Sequence, residues 1–85
     1  MDSFSLELRS LPGWLLQEYV EELGGRLQSD GWLHGEGWQV RITPIEDFRI
    51  GSLSVGQIRL EWLGELAAYQ RVWPQLEKKL MRAGG

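Results

Sequence analysis

The sequence predicts an α+β domain with the order β-α-β-β-β-β-α, in which one mostly antiparallel sheet carries both helices on one face. Two patterns predict this fold class. Apolar residues alternate with polar ones in several short runs, which is typical of half-buried strands. In two longer runs the apolar residues recur every three to four positions, which is typical of amphipathic helices.

The first strand and the first helix are predicted in the first part of the chain. Alternation over residues 4–8 predicts the strand. Ser10 and Pro12 are typical of a helix start, and the apolar residues of 15–23 follow helical spacing. Gly24-Gly25 is expected to end this helix, because glycine readily adopts the left-handed conformation that follows a last turn.

Four strands are predicted between the two helices. The first lies within Arg26–His34, before the turn Gly35-Glu36-Gly37, and the second follows the turn over 38–43. Pro44 is expected to end that second strand, because proline donates no backbone hydrogen bond. A third strand is predicted around residues 48–50 and a fourth over 58–62, with a turn or bulge between them.

The hairpin at Gly35-Glu36-Gly37 leaves the position of one tryptophan open. A loop made of Gly35 and Glu36 alone turns Trp32 away from the face that Leu33 shares with Trp38. A three-residue loop reverses Trp32 and Leu33. Trp32 is therefore a core residue in one register and a surface residue in the other.

The second helix is predicted from Gly64 to near the end of the chain. Its apolar residues recur at helical spacing between Leu66 and Leu80. Pro74 lies inside this pattern, and we expect a kink or a break there because proline lacks the backbone donor and crowds the preceding turn.

The composition predicts one domain over residues 1–85 and excludes several kinds of site. The chain has no cysteine, which excludes disulfides, thiolate zinc sites and nucleophilic thiols. A disulfide-free small domain without a secretory leader or a long apolar run is expected in the cytoplasm, away from membranes. The net charge of −3 disfavours nucleic acid as a partner.

No set of residues predicts catalysis, a metal site or a bound cofactor. His34 is the single histidine, so it has neither a second histidine nor a cysteine with which to bind zinc. No serine stands in a Gly-x-Ser-x-Gly motif, and neither Glu21-Glu22 nor Glu46-Asp47 has the spacing of a paired acid and base. We therefore expect a protein that is not an enzyme.

Arginines in the predicted strands indicate a working face. If the apolar residues of each strand point to the helices, four arginines point to the open face, together with Glu7 and Glu61: Arg9, Arg41, Arg49 and Arg59. Cross-strand ion pairing on a solvated surface is one interpretation. The other is a binding face for a small anionic ligand, a nucleic-acid backbone or an acidic protein partner, with Trp32 as a stacking surface. A homo-oligomer that covers this face is a third hypothesis.

The chain ends in Gly84-Gly85, which carries a further alternative. Ubiquitin-like sulfur carriers end in Gly-Gly, because residues without side chains let a terminal carboxylate enter a narrow activating site. That function would require the last helix to end before Ala83. The simpler interpretation is a helix terminus, since Gly24-Gly25 already ends a helix in this chain.

The β-α-β4-α order is similar to that of TBP-like folds. The helix segment Leu11–Gly25 and the tryptophan-rich hairpins that follow resemble a small domain known mainly from thermophilic bacteria. That domain forms the C-terminal part of a protein related to the small subunit of molybdopterin synthase. The resemblance implies a role near cofactor biosynthesis or sulfur transfer and transfers no functional residues.

Overall fold

The computed structural model describes residues 2–84, and its order of elements confirms the predicted fold class. The elements are β1 (Asp2–Arg9), α1 (Gly13–Glu22), β2 (Arg26–Leu27), β3 (Leu33–Gly35), β4 (Trp38–Ile50), β5 (Leu53–Gly64) and α2 (Leu66–Gly84). The strands form one sheet in the order β1-β5-β4-β3-β2, and every pair is antiparallel.

Both helices pack on one side of the sheet, which we call the inner face. The buried apolar residues of α1, α2 and the strands form a single core cluster: Leu16, Val20, Leu33, Trp38, Val40, Ile58, Leu60, Trp62, Ala68, Val72 and Leu76. The strand members alternate with polar residues, as a sheet covered on one side requires. Phe4 and Leu8 of β1 pack against the same cluster.

Two tryptophans and two glycines shape the centre of this core. The rings of Trp38 and Trp62 stack with their centroids 5.4 Å apart and their planes 3° from parallel. A Cβ at Gly35 would overlap the indole of Trp38, and one at Gly64 would lie 2.9 Å from the Cβ of Trp38. These glycines therefore leave the space that the Trp38 side chain occupies.

The predicted end of a strand at Pro44 is wrong, because β4 continues through this residue and pairs Pro44 with Ile58. The backbone N–H of Glu65 donates to the carbonyl of Gly37. This bond shows which residue pairs of the β4–β5 ladder are hydrogen-bonded, because such pairs alternate with pairs that are not. In that alternation the nitrogen of Pro44 points away from β5, toward the side of β4 on which β3 lies. β3 pairs only with residues 38–40 and does not reach Pro44. The missing donor therefore removes no ladder bond.

A bulge separates the sheet from a projecting part of the β4–β5 hairpin, which we call the hairpin arm (residues 46–56). The register shifts between Ile45, which pairs with Gln57, and Phe48, which pairs with Val55. β1 pairs with β5 only as far as Gln57, so the arm extends beyond the sheet as a two-stranded ribbon. The two strands predicted around residues 38–43 and 48–50 are thus one strand, whereas the strand predicted within Arg26–His34 is replaced by the two short strands β2 and β3.

The helices follow the sequence patterns, except that Pro12 lies before the first helix and Pro74 does not break the second. α1 begins at Gly13, with Pro12 in the position before the helix, and it is followed by Gly24 at φ +105° as predicted. α2 contains Pro74 and has no break there.

Within the described residues, no helix is long and apolar enough to cross a membrane.

Candidate functional site on the outer sheet face

The outer face of the sheet is the side opposite the two helices. The alternation that turns apolar residues inward places the following side chains there: Ser3, Ser5, Glu7, Arg9, Gln39, Arg41, Thr43, Ile45, Gln57, Arg59, Glu61 and Leu63. The pairing registers align these residues in rows across β1, β5 and β4. The face is therefore mainly polar, with apolar side chains toward its ends.

Two ion pairs occupy the centre of the outer face. Arg41 donates from Nε and Nη2 to the two carboxylate oxygens of Glu61, each at 3.0 Å. Arg59 donates from Nη2 to Glu7 at 3.2 Å. The bidentate bond from Arg41 lowers the pKa of Glu61, and the same bond raises the pKa of Arg41. Arg41 and Arg59 are thus already paired with carboxylates, which favours the ion-pairing interpretation for these two residues.

Arg9 differs from the other two outer-face arginines in its contacts. Its Nε donates to the side-chain oxygen of Gln57 at 3.2 Å, and its guanidinium carbon lies 3.4 Å from the centroid of the Phe48 ring. Within residues 2–84 no carboxylate forms an ion pair with Arg9. The net positive charge of this face is therefore concentrated where β1 meets the hairpin arm.

Arg49 does not lie on the outer face, which corrects the sequence prediction. Phe48 contacts Arg9 and so faces outward, and its neighbour Arg49 pairs with Ser54 on the other surface of the arm. The bulge between Ile45 and Phe48 causes the difference, because one additional residue reverses the side-chain alternation.

Trp32 lies on the outer face, at the end opposite the arm. The hairpin loop is Glu36-Gly37, one residue later than the predicted two-residue alternative, and Gly35 pairs with Trp38. In this register Leu33 points into the core and Trp32 does not. The guanidinium carbon of Arg41 lies 4.8 Å from the Trp32 ring centroid, within the range of a cation–π interaction.

Asp30 holds the segment that carries Trp32. Its carboxylate accepts the backbone N–H of Trp32 at 2.9 Å and contacts Nε2 of His34, also at 2.9 Å. The Trp32 bond, followed by the His34 bond, lowers the pKa of Asp30. The single histidine thus supports a loop, and within residues 2–84 no three His, Cys, Asp or Glu side chains cluster as metal ligands.

A shallow cavity of about 340 Å³ lies beside Trp32, and we call it the Trp32 cavity. Its lining includes the outer-face residues Ser3, Ser5, Glu61 and Leu63, together with Phe4 and Trp62 of the neighbouring strand positions. The small side chains of Ser3 and Ser5 leave the cavity open toward β1. Neither serine was predicted as part of a binding site, and their alternation with apolar residues is the one sequence signal that places them on this face.

The hairpin arm carries an exposed apolar strip on the same side of the molecule. Phe48 pairs with Val55 and Ile50 pairs with Leu53, so all four side chains share one surface of the arm. Ile50 is 61% exposed and Leu53 is 68% exposed. This strip was not predicted, although apolar residues lie two positions apart on each side of Gly51-Ser52 in the sequence.

Gly84 does not begin the free tail that a carrier would require. α2 continues through Gly84, beyond the limit at Ala83 that the carrier hypothesis set. Gly85 lies outside the described residues.

The fold and the outer face define a small α+β domain whose sheet is covered by helices on one side only. A family model described as archaeal MoaD-like protein matches residues 4–85, and the chain belongs to this family. The match supports the relation to the small subunit of molybdopterin synthase that the sequence resemblance implied. A search of curated proteins finds no match. A TBP-like fold and a thermophilic bacterial source stay predictions.

Proposed function

We propose that this chain is a non-enzymatic accessory domain of the cytoplasm that binds a partner protein through its outer sheet face. The apolar strip of the hairpin arm is the observation that carries this proposal. Phe48, Ile50, Leu53 and Val55 lie together on the outer side, outside the core cluster that the helices cover. Grouped exposed apolar side chains beside polar ones are typical of protein interfaces.

The charges of the outer face favour a protein partner over a small anionic ligand. Arg41 and Arg59 each bond a glutamate, so an incoming anion would have to displace Glu61 or Glu7. Arg9 stacks on Phe48 and keeps its charge next to the strip. An apolar patch with an acidic group beside it is therefore the partner surface that fits best.

Partner binding is tested by changing the strip and a matched pair of residues on the helix side. Proteins captured from the native host are purified and titrated against the chain by calorimetry. Ile50→Ser with Leu53→Ser should weaken binding about tenfold or more, because apolar residues at the centre of an interface carry most of the affinity.

Leu66→Ser with Met81→Ser provides the control. These two helix residues are 58% and 73% exposed, similar to Ile50 and Leu53. The control should bind the partner with unchanged affinity. Equal losses in both variants, or none in either, would contradict a docking site on the outer face.

A second candidate function is a sulfur carrier that is modified at Gly85. The family match favours it, because it extends through residues 84 and 85. In this chemistry ATP adenylates the terminal carboxylate with release of pyrophosphate, and a donor at the oxidation level of sulfide, such as hydrosulfide, then displaces AMP to leave a thiocarboxylate. Since α2 includes Gly84, the last turn of the helix would have to unwind before Gly85 could enter an activating site.

Intact mass spectrometry of the protein purified from its native host tests the carrier function. Replacement of oxygen by sulfur gives the same nominal mass shift as methionine oxidation at Met1 or Met81. Fragmentation must therefore place the change on Gly85. An unmodified carboxylate in every preparation would exclude the carrier.

A further inference from the structure

β1 forms one edge of the sheet, and among the strands of residues 2–84 it pairs with β5 alone. The backbone N–H of Ser10 donates to the carbonyl of Gly56 at 2.9 Å, in line with the β1–β5 register. In an antiparallel pair, hydrogen-bonded residues alternate with residues whose backbone groups point away from the partner strand. The N–H and C=O groups of Ser3, Ser5 and Glu7 therefore point toward the open edge.

The other long edge of the sheet is less suited to pairing. β4 has no neighbour beyond the short β3, but Pro44 presents no N–H there and the bulge after Ile45 interrupts the strand. β1 runs over Asp2–Arg9 without a proline or a bulge. The charged residues Glu7 and Arg9 lie in its second half, whereas the first half carries serines on the outer face.

The Trp32 cavity lies next to this edge. Ser3 and Ser5 contribute to its lining and belong to β1, so a strand placed beside β1 would extend its outward side chains toward Trp32 and Leu63. Since serine is small, no side chain of β1 blocks that path.

We propose that the Ser3–Glu7 edge binds an extended segment of a partner protein as an added strand, with one side chain of that segment in the Trp32 cavity. The inference rests on the proposed function, since it assigns part of the partner interface to β1. Backbone hydrogen bonds to the free groups of Ser3, Ser5 and Glu7 supply affinity, and the cavity supplies specificity.

The side chain in the cavity is apolar and uncharged. Trp32 and Leu63 offer apolar surface, and both carboxylate oxygens of Glu61 are already bonded to Arg41. An anionic side chain would meet Glu61, and a cationic one would compete with Arg41. A leucine or an aromatic residue meets neither obstacle.

A random peptide library displayed on phage tests the inference directly. Ser5→Pro removes the outward N–H without removing a ladder bond to β5, so the domain should keep its circular dichroism spectrum. Peptides selected on the native chain should carry a neutral apolar residue and should bind the Ser5→Pro variant about tenfold more weakly. Ser5→Ala keeps the N–H and should bind as the native chain does.

Two further measurements separate the edge from the cavity. Trp32→Ala removes a cavity wall but leaves β1 intact, and it should also weaken the selected peptides about tenfold. Nuclear magnetic resonance should show slower hydrogen exchange of the Ser5 amide when a peptide is bound.

Several results would overturn the inference. These are the absence of enriched peptides, equal affinity for the native and Ser5→Pro proteins, or a required charged residue in the selected peptides. A dimer in light scattering that Ser5→Pro converts to a monomer would assign the edge to a second copy instead. If the partner is lost with Ile50→Ser and Leu53→Ser but bound normally by Ser5→Pro, strand addition is wrong and the proposed function stands.

Discussion

The inner and outer faces of the sheet are built from the same strands, yet their side chains make very different contacts. Trp62 on the inner face is 1% exposed and stacks between Phe4 and Trp38. Its neighbour Glu61 points outward and bonds a single partner, Arg41. The inner face therefore holds the fold together, whereas the ion pairs of the outer face are expected to contribute little to stability.

The largest expected effect comes from Trp62→Ala. Removing this indole leaves a cavity between Phe4, Trp38 and Tyr69, and the free energy of unfolding should fall by about 3–5 kcal/mol. Leu63→Ala, one residue further on and on the outer face, should lower it by about 1 kcal/mol or less. Chemical denaturation of both variants measures the difference, and equal losses would contradict the division between the faces.

Gly35→Ala is the next largest. The added Cβ overlaps the Trp38 indole, so the ring must move within a packed core, which should lower the free energy of unfolding by about 1–3 kcal/mol. At Gly56 an added Cβ has no atom within 4 Å. Gly56→Ala should therefore change the stability by about 0.5 kcal/mol or less. Thermal unfolding measures both variants, and equal melting temperatures would show that the contact with Trp38 does not lower the stability.

On the outer face, Arg59→Gln should have a smaller effect. The side chains of Arg59 and Glu7 are 44% and 51% exposed, and ion pairs this exposed contribute about 1 kcal/mol or less to the free energy of unfolding. The loss should shrink further at high salt, because ions screen the pair. A destabilisation as large as that of Gly35→Ala would show that the outer face also supports the fold.

The smallest effect is a shift in one titration. The bond from Arg41 lowers the pKa of Glu61, so this pair contributes stability above the ordinary carboxyl pKa and loses it as the pH falls through the lowered value. Nuclear magnetic resonance of the Glu61 carboxyl carbon should give a midpoint below the ordinary one, and Arg41→Gln should raise it. An identical midpoint in the variant would mean that the bidentate bond does not persist in solution.

The periodicity of the sequence was sufficient for the fold class, for β1 and both helices, and for most of the core, but it did not give the division of the residues between the helices into β2, β3, β4 and β5. Alternation at Trp38, Val40 and Ile58 through Trp62 reflects burial on one side, which is a local property of each strand. Pro44 was misinterpreted because its effect depends on two tertiary features. The β4–β5 register turns its nitrogen away from β5, and β3 ends before it could pair with Pro44.

The candidate site was less predictable for a related reason. Arg49 was placed on the wrong face because the bulge after Ile45 has no sequence signal beyond Gly56 opposite it, and a single extra residue reverses every later side chain. Glu7 and Glu61 were expected to pair with arginines, but the particular partners depend on the strand order, in which β5 lies between β1 and β4.

Pro44 also has a consequence for how the chain behaves at high concentration. From Arg41 onward one side of β4 has no neighbouring strand, and such a row of backbone donors and acceptors can recruit further copies into growing aggregates. A ring without an N–H interrupts that row at its middle, close to the acidic pair Glu46-Asp47. Pro44 should therefore prolong the time that the protein stays free of aggregates during expression and storage, and it should hardly change the melting temperature.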